Sequence, residues 1–236
     1  MPCDLLVFAP HPDDAEIHCG GTIASQVRRG VSVVVIDATR GELGSRGTPE
    51  TRAIEAAASA TLLGLSAREN LALTDGAIPH DDPAARLLVI DAIRRHRPST
   101  VLCISGHARH PDHQALATLV GGAVKAAALH KLTTASGAPA IANVRLWFYE
   151  AELPLSPSFL VPLTAADWRI KLEAVRCYGS QLHRAGSKEP ATSIADPKFL
   201  DWIDARGRVW GHQAAAEYAE AFVGPEAPRL GDLRGI

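Results

Sequence analysis

At 236 residues the chain is long enough for one large α/β domain (1–236) with a sizeable core. An apolar share of 47% with 21% charged residues is ordinary for a soluble globular protein, and a net charge of −2 offers no basic surplus for nucleic acid or an anionic membrane. Four cysteines, at 3, 19, 103 and 177, form no CxxC pair, which sets aside a thiolate zinc knuckle and fits reduced residues in the cytoplasm.

The opening segment MPCDLLVFAPHPDD has no basic region and no small-residue cleavage site, so it does not read as a signal peptide. No run of about 18 uncharged apolar residues follows, which argues against a membrane span. Residues 5–9 (LLVFA) are wholly apolar and end at Pro10, the pattern of a buried parallel strand. A helix is predicted from about Gly21 to Arg29, stopping at Gly30, and a second strand over 31–37 (VSVVVID). TRGELGSRGTPE reads as a loop. Thr48 as N-cap and Pro49 at the first helical position open an Ala-rich helix that runs to about Leu63 and ends at Gly64. A short strand is expected at 70–73, then an amphipathic helix at 82–97 ended by Pro98, and an apolar strand at 100–105 (TVLCIS). A helix from His113 to about Lys131, strands at 144–149 and 159–163, and helices near 167–178 and 197–222 complete the chain. Strand and helix alternate with short links, which predicts a Rossmann-like, doubly wound and mostly parallel sheet with helices on both faces. Ligands bind such sheets beyond the carboxyl ends of the strands, so the loops after residues 9, 37 and 105 are the ones to search.

Two of those loops hold similar tetrads: His11-Pro12-Asp13-Asp14 and His110-Pro111-Asp112-His113. Either alone could be a turn or a helix cap, since proline favours turns and aspartate caps helices. Two of them, each after a predicted parallel strand, bring imidazoles and carboxylates to one edge without cysteine. That donor set suits a catalytic zinc, or a ferrous ion, with an open position. A spare carboxylate there makes a general base and a spare histidine an electrophile. Sequence alone leaves open which aspartate ligates and which acts as base.

APHPDDAEIHCGGTIA and RHPDH, with RGELGSRGTPETR, ENLALTDG, YGSQL and RVWGHQAAAEYAEAF, resemble the LmbE-like (PIG-L type) metal-dependent N-deacetylases over most of the chain. The similarity is greatest to the subgroup that deacetylates N-acetylglucosaminyl malate in bacillithiol biosynthesis. The resemblance implies His11, Asp14 and His113 as metal ligands and Asp13 as the general base. It implies His110, protonated, as the group that stabilises the oxyanion, with Asp112 orienting it. It also implies Arg52 as a substrate contact, which a carboxylate-gripping guanidinium would suit, with Arg109 and Asp75 as further candidates. The substrate expected is a small, anionic N-acetylglucosaminide, and the assembly a homo-oligomer, trimer or hexamer. Glu16 reads as a helix-start acid, and Gly20-Gly21 as a close packing point and not a dinucleotide loop. The other histidines (18, 80, 96, 107, 130, 183 and 212) read as surface or satisfied interior groups. Trp147, Trp168, Trp202 and Trp210 read as core or subunit-contact residues.

Overall fold

The computed structural model describes residues 2–228. In chain order they form β1 (Leu5–Ala9), α1 (Asp14–Arg28), β2 (Val33–Asp37), α2 (Pro49–Leu63), β3 (Ala67–Asn70), α3 (Pro83–His96) and β4 (Thr100–Ile104). There follow α4 (Pro111–Ala126), β5 (Arg145–Tyr149), β6 (Phe159–Leu163), α5 (Ala165–Arg176), α6 (Phe199–Gln213) and β7 (Tyr218–Val223). One sheet runs in the order β3-β2-β1-β4-β5-β7-β6. The pairs β3–β2, β2–β1, β1–β4 and β4–β5 are parallel, and β7 is antiparallel to both β5 and β6.

β1 and β2 are buried at every position because helices cover both faces of the sheet there. Their residues and those of β4 make the main core, in which Leu6, Val7, Phe8, Val34, Val35 and Cys103 lose all contact with solvent. Each such side chain contributes about 1.5–3 kcal/mol by leaving water. The chain order reverses between β1 and β4, so the loops after these two strands open side by side at one edge. That reversal places the two tetrads.

Helix starts follow local chemistry. The Thr48 hydroxyl accepts from the Thr51 amide with Pro49 at the first turn, and Gly64 closes α2 in the left-handed conformation. Asp82 caps α3 by accepting from Ala84 and Ala85. Thr164 and Asp167 form a reciprocal capping box on α5.

Three elements depart from the sequence expectation. The first helix begins at Asp14, seven residues earlier than its pattern predicts, and breaks at Cys19 (φ −138°, ψ 19°). The break exposes the amides of Gly21 and Thr22, and both donate to the Glu220 carboxylate (3.0 and 2.6 Å). Lys171 Nζ neutralises that carboxylate at 2.6 Å and lies 4.5 Å from the Trp168 ring centre. A Cβ at Gly21 would strike Leu163 and crowd Glu220, so the glycine lets α1 lie close to the sheet here. The expected strand at 70–73 is β3, at 67–70; its AREN sequence has little strand preference and is held by pairing to β2. The helix expected over 197–222 ends at Gln213, and the Ala-rich segment after it is β7. Ladder bonds to β5 and β6 on either side override its helical composition. Among the described residues no helix is long and apolar enough to cross a membrane.

Candidate metal and catalytic centre

His11 leaves β1 through Pro10, and α1 starts at Asp14, so the first tetrad is the turn between them. His110 N-caps α4: its Nδ1 accepts the Asp112 amide at 3.2 Å, which leaves the ring proton on Nε2. His113 lies in the first turn of that helix, buried. The two turns meet. One donor atom each from His11, Asp14 and His113 lies within 4.8 Å of the others, as does one each from His11, His110 and Asp112.

The hydrogen bonds choose among these atoms. His11 Nε2 faces Asp75 Oδ1 at 3.1 Å and Asp112 Oδ2 at 3.2 Å, so that nitrogen is the donor to carboxylates. His11 Nδ1 faces Asp14 Oδ2 at 3.0 Å, and His113 Nε2 faces the same oxygen at 3.5 Å. On the far side of the His113 ring, Nδ1 lies 3.3 Å from Glu152 Oε1, without the alignment of a hydrogen bond. Each imidazole thus turns one nitrogen to Asp14 and the other to an outer carboxylate, the arrangement in which outer groups fix the tautomer of ligating histidines.

Electrostatics agree with a cation at this point. Burial alone would lower both rings. The Asp112, Asp14 and Asp75 carboxylates outweigh it at His11 and hold it well above the ordinary histidine range. Asp14 and Glu152 do the same at His113, which reaches about 9. Asp14 resists the upward push of burial because His113 and His11 hold it well below the usual carboxylate range. Two protons therefore occupy the faces that converge on Asp14, and a divalent ion would take their place. Three oxygen and nitrogen donors with no thiolate suit zinc, and ferrous iron also fits.

Asp13 sits beside this set in a rare backbone conformation, φ 131°. It is buried, and burial pushes its carboxyl up to about 7 against the lowering effect of Arg52. Arg52 Nη2 lies 3.0 Å from Asp13 Oδ2 and donates to the Pro12 carbonyl. Asp13 Oδ2 and Arg52 Nε have no aligned hydrogen-bond partner among the described residues. Gly41 (φ +70°) admits the guanidinium, since a Cβ there would run into it.

The remaining expected site residues fall as follows. Arg52 is buried and engaged with the first tetrad rather than projecting as a free grip for a carboxylate. Asp112 accepts the Gly76 and Ile78 amides (2.7 and 3.1 Å), and its contact with the His110 ring runs through its own backbone amide, not its carboxylate. Burial, then the charges of His11 and His113, push the His110 ring below the ordinary histidine value. Asp75 faces His11 and accepts the Leu43 amide at 2.7 Å. Arg109 is exposed at the rim and its guanidinium has no partner among the described residues.

Sequence reasoning passes over Glu152 and counts His18 among the surface or satisfied interior histidines. His18 Nε2 lies 3.8 Å from Asp14 Oδ1, its ring stacks 6.4 Å from that of Tyr149, and burial pushes it down to about 4. Its only signal is its place four residues after Asp14, one turn along α1. Glu16, by contrast, is structural: fully buried, it accepts from Ser59, Arg68 and Tyr178 and ties α1 to α2 and β3. His96 is buried with Nε2 2.8 Å from Glu69.

A cavity of about 910 Å³ opens over the tetrads and extends to α6 and the segment 192–194. The signature of the family described as PIG-L: GlcNAc-PI de-N-acetylase matches residues 6–124. A solved structure, the conserved protein TT1542 from Thermus thermophilus, superposes with a TM-score of 0.87 at 39% identity, covering 98% of each chain. Diacetylchitobiose deacetylase of Thermococcus kodakarensis is 28% identical over 89% of this chain and 80% of that protein. A probable N-acetyl-alpha-D-glucosaminyl L-malate deacetylase 2 of Bacillus anthracis is 28% identical over 75% of this chain and 80% of its own.

Proposed function

From the premise that this chain belongs to the PIG-L GlcNAc-PI de-N-acetylase family, we propose that it is a zinc-dependent hydrolase that removes acetate from an N-acetylglucosaminide. One observation carries the reading: His11, Asp14 and His113 converge from two loops about a hundred residues apart in sequence, with the buried carboxylate of Asp13, paired with Arg52, beside them. Metal storage alone would need neither Asp13 nor His110.

His11, Asp14 and His113 would hold the ion, which when bound supplies a Lewis acid that acidifies water and polarises a carbonyl. Asp75, Asp112 and Glu152 fix the ligand rings from outside. Asp13, with its raised affinity for protons, takes one from the attacking water and returns it to the nitrogen as the C–N bond breaks. His110 donates from Nε2 to the oxygen that carries negative charge in the tetrahedral intermediate. Water adds across the amide, giving acetate and a free amine. Arg52 holds Asp13 in place.

The finer reading, N-acetylglucosaminyl malate as substrate in a bacillithiol route, is supported by the free guanidinium of Arg109 and by the Bacillus anthracis relative. Assembly as a trimer or hexamer in the cytoplasm belongs to the same proposal. The test is acetate release by the zinc-loaded protein across N-acetylglucosamine, its malate conjugate and N,N′-diacetylchitobiose. Release from at least one of them, abolished in His113→Ala, is expected; no release from any would end the proposal.

A further inference from the structure

His113 leans on an acid whose own backbone lies outside every regular element. Glu152 stands three residues beyond the end of β5, in a segment with neither helix nor strand conformation. The sheet releases the chain at Glu150, whose amide donates to the Ala221 carbonyl at 3.1 Å. From there Glu152 reaches the second tetrad at two points. Its Oε1 lies 3.3 Å from His113 Nδ1, and its Oε2 accepts the Arg109 amide at 3.3 Å. The Glu152 side chain keeps 32% exposure, so burial alone does not hold it in place.

Arg206 supplies the support. It lies on α6, and its two terminal nitrogens donate to the carbonyls of Ala151 (2.8 Å) and Glu152 (3.0 Å). Those carbonyls flank the Glu152 α-carbon. One planar fork therefore fixes the peptide units on both sides of it, and with them the direction in which the side chain leaves. Arg206 Nη1 also lies 3.4 Å from Glu150 Oε2. Four residues along α6, Trp210 donates to the same Glu150 oxygen at 2.9 Å, and the other oxygen of that buried acid accepts the Leu155 amide at 3.0 Å. Spacing of i and i+4 puts Arg206 and Trp210 on one side of α6, and both grip the turn after β5. The positive charge of Arg206, by contrast, works against a cation in the same cavity, since like charges repel. Its geometry and its charge thus push metal affinity in opposite directions.

We propose that Arg206 is a positioning residue for the metal centre: it fixes Glu152, which orients the His113 ring from outside. This rests on the zinc reading of the two tetrads and extends it to a helix near the other end of the chain. Zinc dissociation constants of the full chain, measured by competition with a chelating dye, test it without any substrate. Glu152→Ala is expected to weaken zinc about 10–100-fold, the range for loss of a group that orients a ligating histidine. Arg206→Ala should weaken it about tenfold or more, even though a repelling charge is removed. Arg206→Lys should keep most of that loss, because an ammonium cannot hold two carbonyls as a planar fork does, and it carries the test if Arg206→Ala does not fold. The double variant Arg206→Ala/Glu152→Ala should bind zinc no more weakly than Glu152→Ala alone, since the two residues act in series. Parental or tighter zinc binding in either variant of Arg206 would overturn the proposal. So would losses that multiply in the double variant, which would make the two residues independent. Parental binding in His113→Ala is a separate failure: it would remove the zinc site itself, and the role of Arg206 with it.

Discussion

Asp13 has a backbone φ of 131°, a region that costs a non-glycine residue about 1–3 kcal/mol and persists only where surrounding contacts enforce it. Those contacts are the flanking residues of the tetrad and Arg52, whose guanidinium grips both the Asp13 carboxylate and the Pro12 carbonyl. Asp13→Asn keeps the size and tolerance of such a backbone but cannot take a proton. Turnover should fall by about 10²–10⁴ with zinc content unchanged, read by acetate release beside metal analysis. Loss of zinc in that variant would transfer Asp13 to the ligand set. Arg52 separates two roles by its kinetics. A residue that positions the base lowers kcat and leaves KM nearly fixed, whereas a grip on substrate raises KM. Arg52→Lys is expected to lower kcat, because one ammonium cannot replace a planar fork serving two acceptors. A KM effect alone would make Arg52 the substrate contact that the sequence suggests.

At the scale of elements, the break in α1 is the feature that joins the catalytic turn to the far half of the sheet. Glu220 on β7 caps the second half of α1, and Lys171 on α5 balances it, all of them buried. Removing one member of such a group leaves a buried charge or two stranded amides. Glu220→Ala should therefore cost about 3–5 kcal/mol, measured by urea unfolding. A loss below about 1 kcal/mol would mean that the amides find other partners. This network also shows where the sequence stops being legible. HPDD and HPDH could be placed because each follows an apolar run whose period announces a strand, and the order of strands then fixes which loops are neighbours. The partners of Glu220 lie 198 and 199 residues away at α1 and 49 away at Lys171, and no local period encodes such distances. The same holds for Glu152, and for the contact with His11 made by Asp75, which the sequence offers only as a substrate candidate. Each meets a ring of the first or second tetrad across the sheet edge, and each alone looks like a turn or surface acid. β7 is hidden for a different reason: AAAEYAEAF is rich in helix formers, and only the vacant strand edges of β5 and β6 make it extended.

For the whole molecule, the charge pattern around Asp14 couples metal, protons and stability. In the metal-free protein His113 titrates at about 9, above its ordinary value near 6.5, because Asp14 and Glu152 outweigh burial. A raised folded-state value means that the stabilisation is complete below the unfolded value and is lost as pH climbs through the folded one. The melting temperature of metal-free protein should therefore fall between about pH 6.5 and 9. Zinc must displace the same protons, so its affinity should rise across that window, and the zinc-induced stabilisation with it. At a free ion concentration of about 100 times Kd, binding to the native state alone contributes about 2.7 kcal/mol. In a protein of this size that is a shift of roughly 5–10 °C. Calorimetric melts with and without a chelator at two pH values read both slopes. His113→Ala should show neither the alkaline loss nor the zinc shift. A zinc shift that is the same in His113→Ala as in the parent protein would place the ion elsewhere and with it undo the convergence of the two loops on one cation.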